Sequence, residues 1–180
     1  FFYSNIIGLN PALAGSAIFI ALCVDAVTDP LMGTISDRTN SSYGRRHPFM
    51  MISFIPMSLG YIFLFAPRQD WDMSQSDLFI WMTIFTVITR IGMTLFDIPH
   101  RAFGGEVTKN YKERTILMSW REMFGWVAGL SNAFLGYGIF FASTSEYPQG
   151  QLNPDAWFPF AVTGAILMII SVLYSSFSTK

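Results

Sequence analysis

Cysteine occurs once, at Cys23, so no internal disulfide can form, and its place inside an apolar run makes it a small buried side chain rather than a reactive thiol. Histidine occurs twice, and no set of His, Cys and Glu recurs at metal-ligand spacing. No nucleophile stands beside a base, so the chain does not read as an enzyme. Charge is scarce as well: Asp, Glu, Lys and Arg make up 13% of the residues, the formal net charge is −1, and there is no long basic run. That balance removes nucleic acid from the partners. An initiating Met is missing too. Phe1–Gly8 is too short to cross a membrane and reads like the tail of an earlier helix, so the chain is expected to be a piece of a longer protein, from which no signal peptide can be judged.

Apolar residues are what is abundant. The chain is 52% hydrophobic and 17% aromatic, with its charges gathered between long apolar runs, which is the composition of a membrane protein lying in a lipid bilayer. Five spans are expected, at about residues 11–36, 48–66, 77–99, 115–142 and 157–177. Each approaches or exceeds the ~20 residues that cover roughly 30 Å as a helix. Barrel strands would be half as long and alternate in polarity, so the fold class is an all-α membrane protein. The connections alternate in charge. The first, residues 37–47, and the third, residues 100–115, carry Arg38, Arg45, Arg46, Arg101, Lys109, Lys112 and Arg114. The second holds Arg68, Asp70, Asp72 and Asp77, the fourth Glu146 and Asp155, and Lys180 follows the last span. By the positive-inside rule the two basic loops and Lys180 are cytoplasmic, in a multi-pass plasma-membrane protein such as one of a bacterial inner membrane.

Ionisable residues inside the spans demand a purpose. Asp25 and Asp29 lie one helical turn apart in an apolar stretch that Pro30-Leu-Met-Gly-Thr-Ile35 continues beyond them. Carboxylates four residues apart share a helix face, so the pair can close on one small cation or share one proton. An ionised Asp at mid-bilayer costs about 2.5 to 3.5 kcal/mol, which points to an ion, proton or substrate pathway. Pro30 adds a freed carbonyl at Ala26, a further oxygen for a hard cation such as sodium. Arg90 and Asp97 fall in the third span and Arg121 near the start of the fourth. Arg121 is either a partner of Asp97 or Asp29, a substrate clamp, or an arginine that snorkels to the interface; no partner for Arg90 can be named. Pro99 is expected to bend or end the helix beside Asp97, and His100 to stand at the interface. Gly125 and Gly129 form a small-xxx-small pair that admits a closely packed helix. Trp126 is a candidate substrate contact, and Trp120 belongs to the general aromatic surface.

Gly33-Thr-Ile-Ser-Asp37-Arg38-Thr followed by Gly44-Arg45-Arg46 resembles the loop signature of the major facilitator superfamily, lengthened between its halves. Together with Asp25-Ala-Val-Thr-Asp29-Pro, Asp97-Ile-Pro, and Glu113-Arg114-Thr leading to Arg121, nearly the whole chain resembles the glycoside-pentoside-hexuronide:cation symporters, the melibiose permease family. The resemblance implies five full helices and the tail of a sixth from an amino-terminal bundle in the major facilitator fold, with a carboxyl-terminal bundle completing the cavity. It implies secondary active symport of a glycoside with sodium or a proton, and no cofactor beyond that coupling ion. It makes Asp25 and Asp29 the cation carboxylates (the sodium ligands, if sodium is the ion). Asp97 becomes a residue of both the cation and sugar sites, and Arg121 a sugar contact. Asp37, Arg38, Arg45 and Arg46 become the cytoplasmic gate. One departure stands out: sugar-carrying members are associated with a tryptophan four residues after the Asp97 position, where this chain has Arg101, preceded by His100. An inward Arg101 beside Arg90 and Arg121 would suit a hexuronide or sulfated glycoside; the expectation is that it faces the cytoplasm as a loop cation. Lysolipid symporters share the paired-aspartate helix and remain an alternative, as does a receptor or scaffold that binds without transporting.

Overall fold

Each long helix begins where the sequence supplies a cap. Asn10 opens α1 (Pro11–Arg38) by accepting from the amide of Ala12, with Pro11 at the first helical position, where its missing N–H costs nothing. A capping box between Ser74 and Asp77 opens α4 (Gln75–Glu106), and Asn110 opens α5 (Tyr111–Leu135) by accepting from Lys112. The remaining helices are α2 (His47–Ile52), α3 (Phe54–Leu64) and α6 (Pro154–Ser178). Single π-helical turns at Phe2–Ile7 and Gly136–Phe140 precede α1 and follow α5. The computed structural model describes residues 1–41, 43–108 and 110–178, so the loop cation Lys109 and the terminal Lys180 lie outside the described residues.

Among the described residues five helical segments are long and apolar enough to cross a membrane: Pro11–Arg38, His47–Leu64, Gln75–Gly105, Tyr111–Phe140 and Pro154–Ser178. The second is interrupted at Ser53. Pro56 has no N–H to give the Ile52 carbonyl one turn back, while the Ser53 hydroxyl bonds the Met50 carbonyl at 2.7 Å and holds the break closed. The third runs past Pro99, which was expected to bend or end it. Pro99 is fully buried, and the helix continues for seven residues to Glu106. The missing hydrogen bond costs less than unwinding a packed turn in which Arg101 reaches back to Asp97 and His100 stacks on Phe96 at 5.0 Å. The basic connection after it shrinks accordingly, placing His100 and Arg101 in the helix rather than in a loop.

The central element is α4, which packs along α1, α2 and α3, while α3 also packs on α6. Glycine makes the α3–α4 crossing close. A Cβ at Gly92 would fall 2.5 Å from the Met57 amide nitrogen, and one at Gly60 would fall 2.5 Å from the Thr89 hydroxyl oxygen. At the end of the non-basic loops an aromatic plug gathers Phe2, Phe65, Phe141 and Trp157, with Phe65 and Trp157 stacked at 5.6 Å. Tyr3 donates to the Leu64 carbonyl at 2.7 Å, and Gln75 donates to the Gly8 carbonyl while accepting from the Asn10 amide. These bonds tie the chain start to both α3 and α4. The cysteine expectation is corrected: Cys23 is exposed, between exposed Phe19 and Val27 one turn to either side, on a stripe of α1 that faces away from α4.

Candidate functional site

Two parallel helices, α1 and α4, meet through paired polar side chains held at a constant offset of 65 residues. Asp25 on α1 accepts from the Arg90 guanidinium on α4, and one turn further Asp29 Oδ1 accepts from the Thr94 hydroxyl at 2.7 Å. The match is geometric: residues i and i+4 on one helix face i and i+4 on its parallel neighbour. Arg90, whose partner could not be named from sequence, is thereby assigned. Thr94 is a site residue that sequence reading missed. Among the described residues the second oxygen of Asp25, Oδ1, is buried with no hydrogen-bond partner, as is the hydroxyl of Thr28 three residues along the same helix. Two unsatisfied oxygens on one face of α1 are costly alone and suited to a cation or a proton.

Asp97, one turn below Thr94 on α4, is held on both oxygens. Arg121 of α5 binds Oδ1 through Nη2, and Arg101 donates Nε to Oδ2 at 2.6 Å. Arg121 is thus a partner of Asp97. Arg101 lines the same cleft, so the expectation of a loop cation is corrected: the unbroken α4 carries it round to the Asp97 face, four residues on. The cleft, about 340 Å3, is lined by Asp25, Asp29, Met57, Arg90, Met93, Thr94, Phe96, Asp97, Ile98 and Arg101. A larger cavity of about 650 Å3 lies at the opposite end, between the aromatic plug and Arg68, Asp70 and Asp155. The smaller cleft is the better functional candidate, because the ionisable groups at membrane depth converge there.

Trp126 is not among the cleft residues and is 75% exposed. Five residues after Arg121 is about 140° around a helix, so the two side chains face different ways. Among the described residues no three His, Cys, Asp or Glu side chains cluster tightly enough to hold a metal ion, so in this conformation Asp25, Asp29 and Asp97 do not form one three-carboxylate cage. His100, stacked on Phe96, leaves its Nδ1 buried and without a hydrogen-bond partner among the described residues.

At the other candidate site, Arg46, nearly buried at the start of α2, holds Asp37 in the last turn of α1 at 2.6 Å. Arg38 is exposed beside Asp37, where a cation complements the carboxyl end of the helix dipole, and Arg45 is exposed in the connection. The pair ties the end of one span to the start of the next.

Comparison with known proteins places this geometry in context. The chain is 33% identical over 179 residues to an uncharacterized symporter of Synechocystis sp. (strain ATCC 27184 / PCC 6803 / Kazusa), covering 98% of this chain and 32% of that protein. It is 28% identical over 135 residues to the inner membrane symporter YicJ of Escherichia coli (strain K12), covering 75% and 29%. It is 30% identical over 134 residues to the sodium-dependent lysophosphatidylcholine symporter 1-A of Danio rerio, covering 71% and 24%. The chain therefore spans about a third or less of the length of these curated relatives. Residues 1–180, the whole of the chain, match the family described as MFS/sugar transport protein, and with five membrane-length helices and charged pairs gathered in the cleft between them, the chain belongs to that family.

Proposed function

We propose that this chain forms part of a secondary active transporter that moves a glycoside or related sugar together with sodium or a proton by alternating access. The observation that carries the proposal is the α1–α4 register, Asp25 with Arg90 and Asp29 with Thr94. It puts two carboxylates, a hydroxyl and a guanidinium at membrane depth around one cleft, with the buried Oδ1 of Asp25 still unpartnered. The coupling ion is cargo. Arriving at α1, it competes with Arg90 for Asp25 and loosens the α1–α4 contact, so cation and substrate change each other's affinity reciprocally. A carboxyl-terminal bundle supplies the facing wall, the two basic loops face the cytoplasm, and the membrane is the plasma membrane; the inner membrane symporter among the relatives supports that location. The Asp37–Arg46 pair acts as a cytoplasmic latch that holds in one state and releases in the other.

Asp29→Asn tests the reading in proteoliposomes. Asparagine still accepts from Thr94 and keeps the volume, so folded yield holds while cation-stimulated uptake falls by about tenfold or more. Cation dependence equal to that of the unsubstituted protein sinks the assignment. The zebrafish relative favours a second reading, in which a lysolipid takes the place of the sugar. Uptake of lysophosphatidylcholine without any glycoside uptake in the same vesicles would select it.

A further inference from the structure

We infer that the larger cavity holds the headgroup of a phosphatidylethanolamine molecule from the leaflet beside the non-basic loops, and that Arg68, Asp70 and Asp155 recognise its phosphate and its primary ammonium. Such a lipid binds whatever solute the cleft carries. Among the described residues the two cavities share no lining side chain, and α1, α4 and α5 contribute nothing to the larger one. Its volume of about 650 Å3 is enclosed instead by the chain start, the turn from Phe63 to Trp71, Tyr147 and the first turns of α6. It therefore lies away from the cleft, on the α3–α6 side of the molecule, at the ends of two spans, which is the depth of lipid headgroups. Its walls are tied together: Phe65 stacks on Trp157, and Gln69 donates to the Ile6 carbonyl.

The rim carries one guanidinium and two carboxylates, loosely paired. Arg68 Nη2 meets Asp155 Oδ1 at 3.4 Å, and its Nε stands 4.0 Å from Asp70 Oδ1, beyond hydrogen-bonding distance. All three side chains are more than half exposed, so these pairings are worth little and most of the guanidinium's donors stay uncommitted. A phosphate diester fits that fork. The carboxylates then lack N–H donors, and Pro159, which has no N–H for the Asp155 carbonyl one turn back, leaves a further acceptor beside them. A primary ammonium a few bonds from the phosphate supplies three N–H groups. Phosphatidylglycerol brings a phosphate and no cation to two carboxylates, and phosphatidylcholine brings a cation that cannot donate a hydrogen bond. The apolar surface explains why the headgroup comes with its acyl chains. Exposed stripes leave the cavity along both helices, Phe63, Leu59 and Ile55 on α3 and Phe158, Ile166 and Ile170 on α6. Each runs about 12 Å or more toward the bilayer centre at 1.5 Å per residue, and a soluble zwitterion would leave both bare.

The test uses the full-length transporter in detergent, titrated with phosphatidylethanolamine, phosphatidylglycerol and phosphatidylcholine of identical acyl chains, reading the thermal midpoint and, by native mass spectrometry, the lipid retained. Phosphatidylethanolamine is expected to raise the midpoint at a concentration at least about fivefold below that of either other lipid, and to be the lipid retained. Arg68→Gln and Asp155→Asn should each erase that preference at unchanged folded yield. Asp72→Asn, an exposed carboxylate of the same connection outside the cavity lining, should keep it. An equal response to the three lipids, or a preference that survives both Arg68→Gln and Asp155→Asn, reduces the surface to ordinary lipid contact and overturns the inference. A shift produced by phosphoethanolamine or methyl glucoside, and abolished by Arg68→Gln, overturns it in favour of a site for a soluble ligand.

Discussion

At the scale of single residues, the charged groups between the helices account for both the cost and the use of this site. Asp25 has a side chain only 18% exposed, and among the described residues its countercharge is the Arg90 guanidinium. Arg90→Gln leaves that mostly buried carboxylate without its countercharge, so the ion-free protein loses about 1.5 to 3 kcal/mol, the range for a hydrogen bond to a charged group. With sodium as the coupling ion of the proposed symport, sodium takes the place that Arg90 left. The expected signature is a lower thermal midpoint without sodium and a larger sodium-induced rise than in the unsubstituted protein, measured by thermal unfolding in detergent. Equal sodium shifts in the two proteins would remove Arg90 from the ion's binding equilibrium. Asp25, Asp29, Asp97, Arg90 and Arg121 were legible in the sequence because an ionisable group in an apolar run is expensive and therefore conspicuous. Thr94 was not, since a hydroxyl in a membrane helix usually bonds its own backbone, as Thr83 and Thr89 do here, and nothing in its identity marks the exception.

At the scale of elements, what the sequence hid is how helices end and how closely they cross. Pro99 was expected to bend or end the helix because proline removes a hydrogen bond; it does not end it, since burial and the Asp97–Arg101 link hold α4 together through it, and that continuation is what turns Arg101 into the cleft. Among the described residues nothing lies within 4 Å of a Cβ at Gly125 or Gly129, so that small-xxx-small pair leaves room for a further helix and forms no crossing here. The close crossing belongs to Gly60 and Gly92, which are 32 positions apart and whose pairing depends on tertiary structure. Gly92→Ala forces a methyl group to within 2.8 Å of three atoms of Met57, two of them backbone, so α3 and α4 must separate. The expected loss is about 1 to 3 kcal/mol, the range for overpacking. Gly33→Ala meets only Ile98 at 3.8 Å and should be neutral or stabilising by up to about 1 kcal/mol through helix propensity. Thermal unfolding of the two variants checks the pair; a Gly92→Ala protein as stable as Gly33→Ala would mean that the crossing is looser than this geometry.

At the scale of the whole molecule, the distribution of exposure marks which surfaces still need a partner. Along α5 nearly every residue is exposed, Leu130 at 69% and Phe134 at 77% among them, and the helix meets the bundle mainly at its basic-loop third, through Arg114, Met118 and Arg121. An apolar helix so poorly covered is stable only against lipid or further protein, which agrees with a chain spanning about a third of its relatives. The five spans were legible from composition because hydropathy depends only on local sequence; the packing partners of α5 were not, because exposed apolar residues read alike whether they face lipid or protein. The distribution of charge predicts the orientation. Arg38, Arg45, Arg46, Lys112 and Arg114 lie around the two connections that flank α4 and α1 at one end, whereas residues 141–153 at the other end carry Glu146 and no Lys or Arg. In a Cys23→Ser background, Ser145→Cys should therefore react with a membrane-impermeant maleimide applied to intact cells, and Ser41→Cys only in inverted vesicles or after permeabilisation. The reverse pattern would invert the topology and move the Asp37–Arg46 latch to the outside. Labelling of both from outside would mean that the spans between them do not cross the membrane an odd number of times, since an even number returns the chain to the side it left.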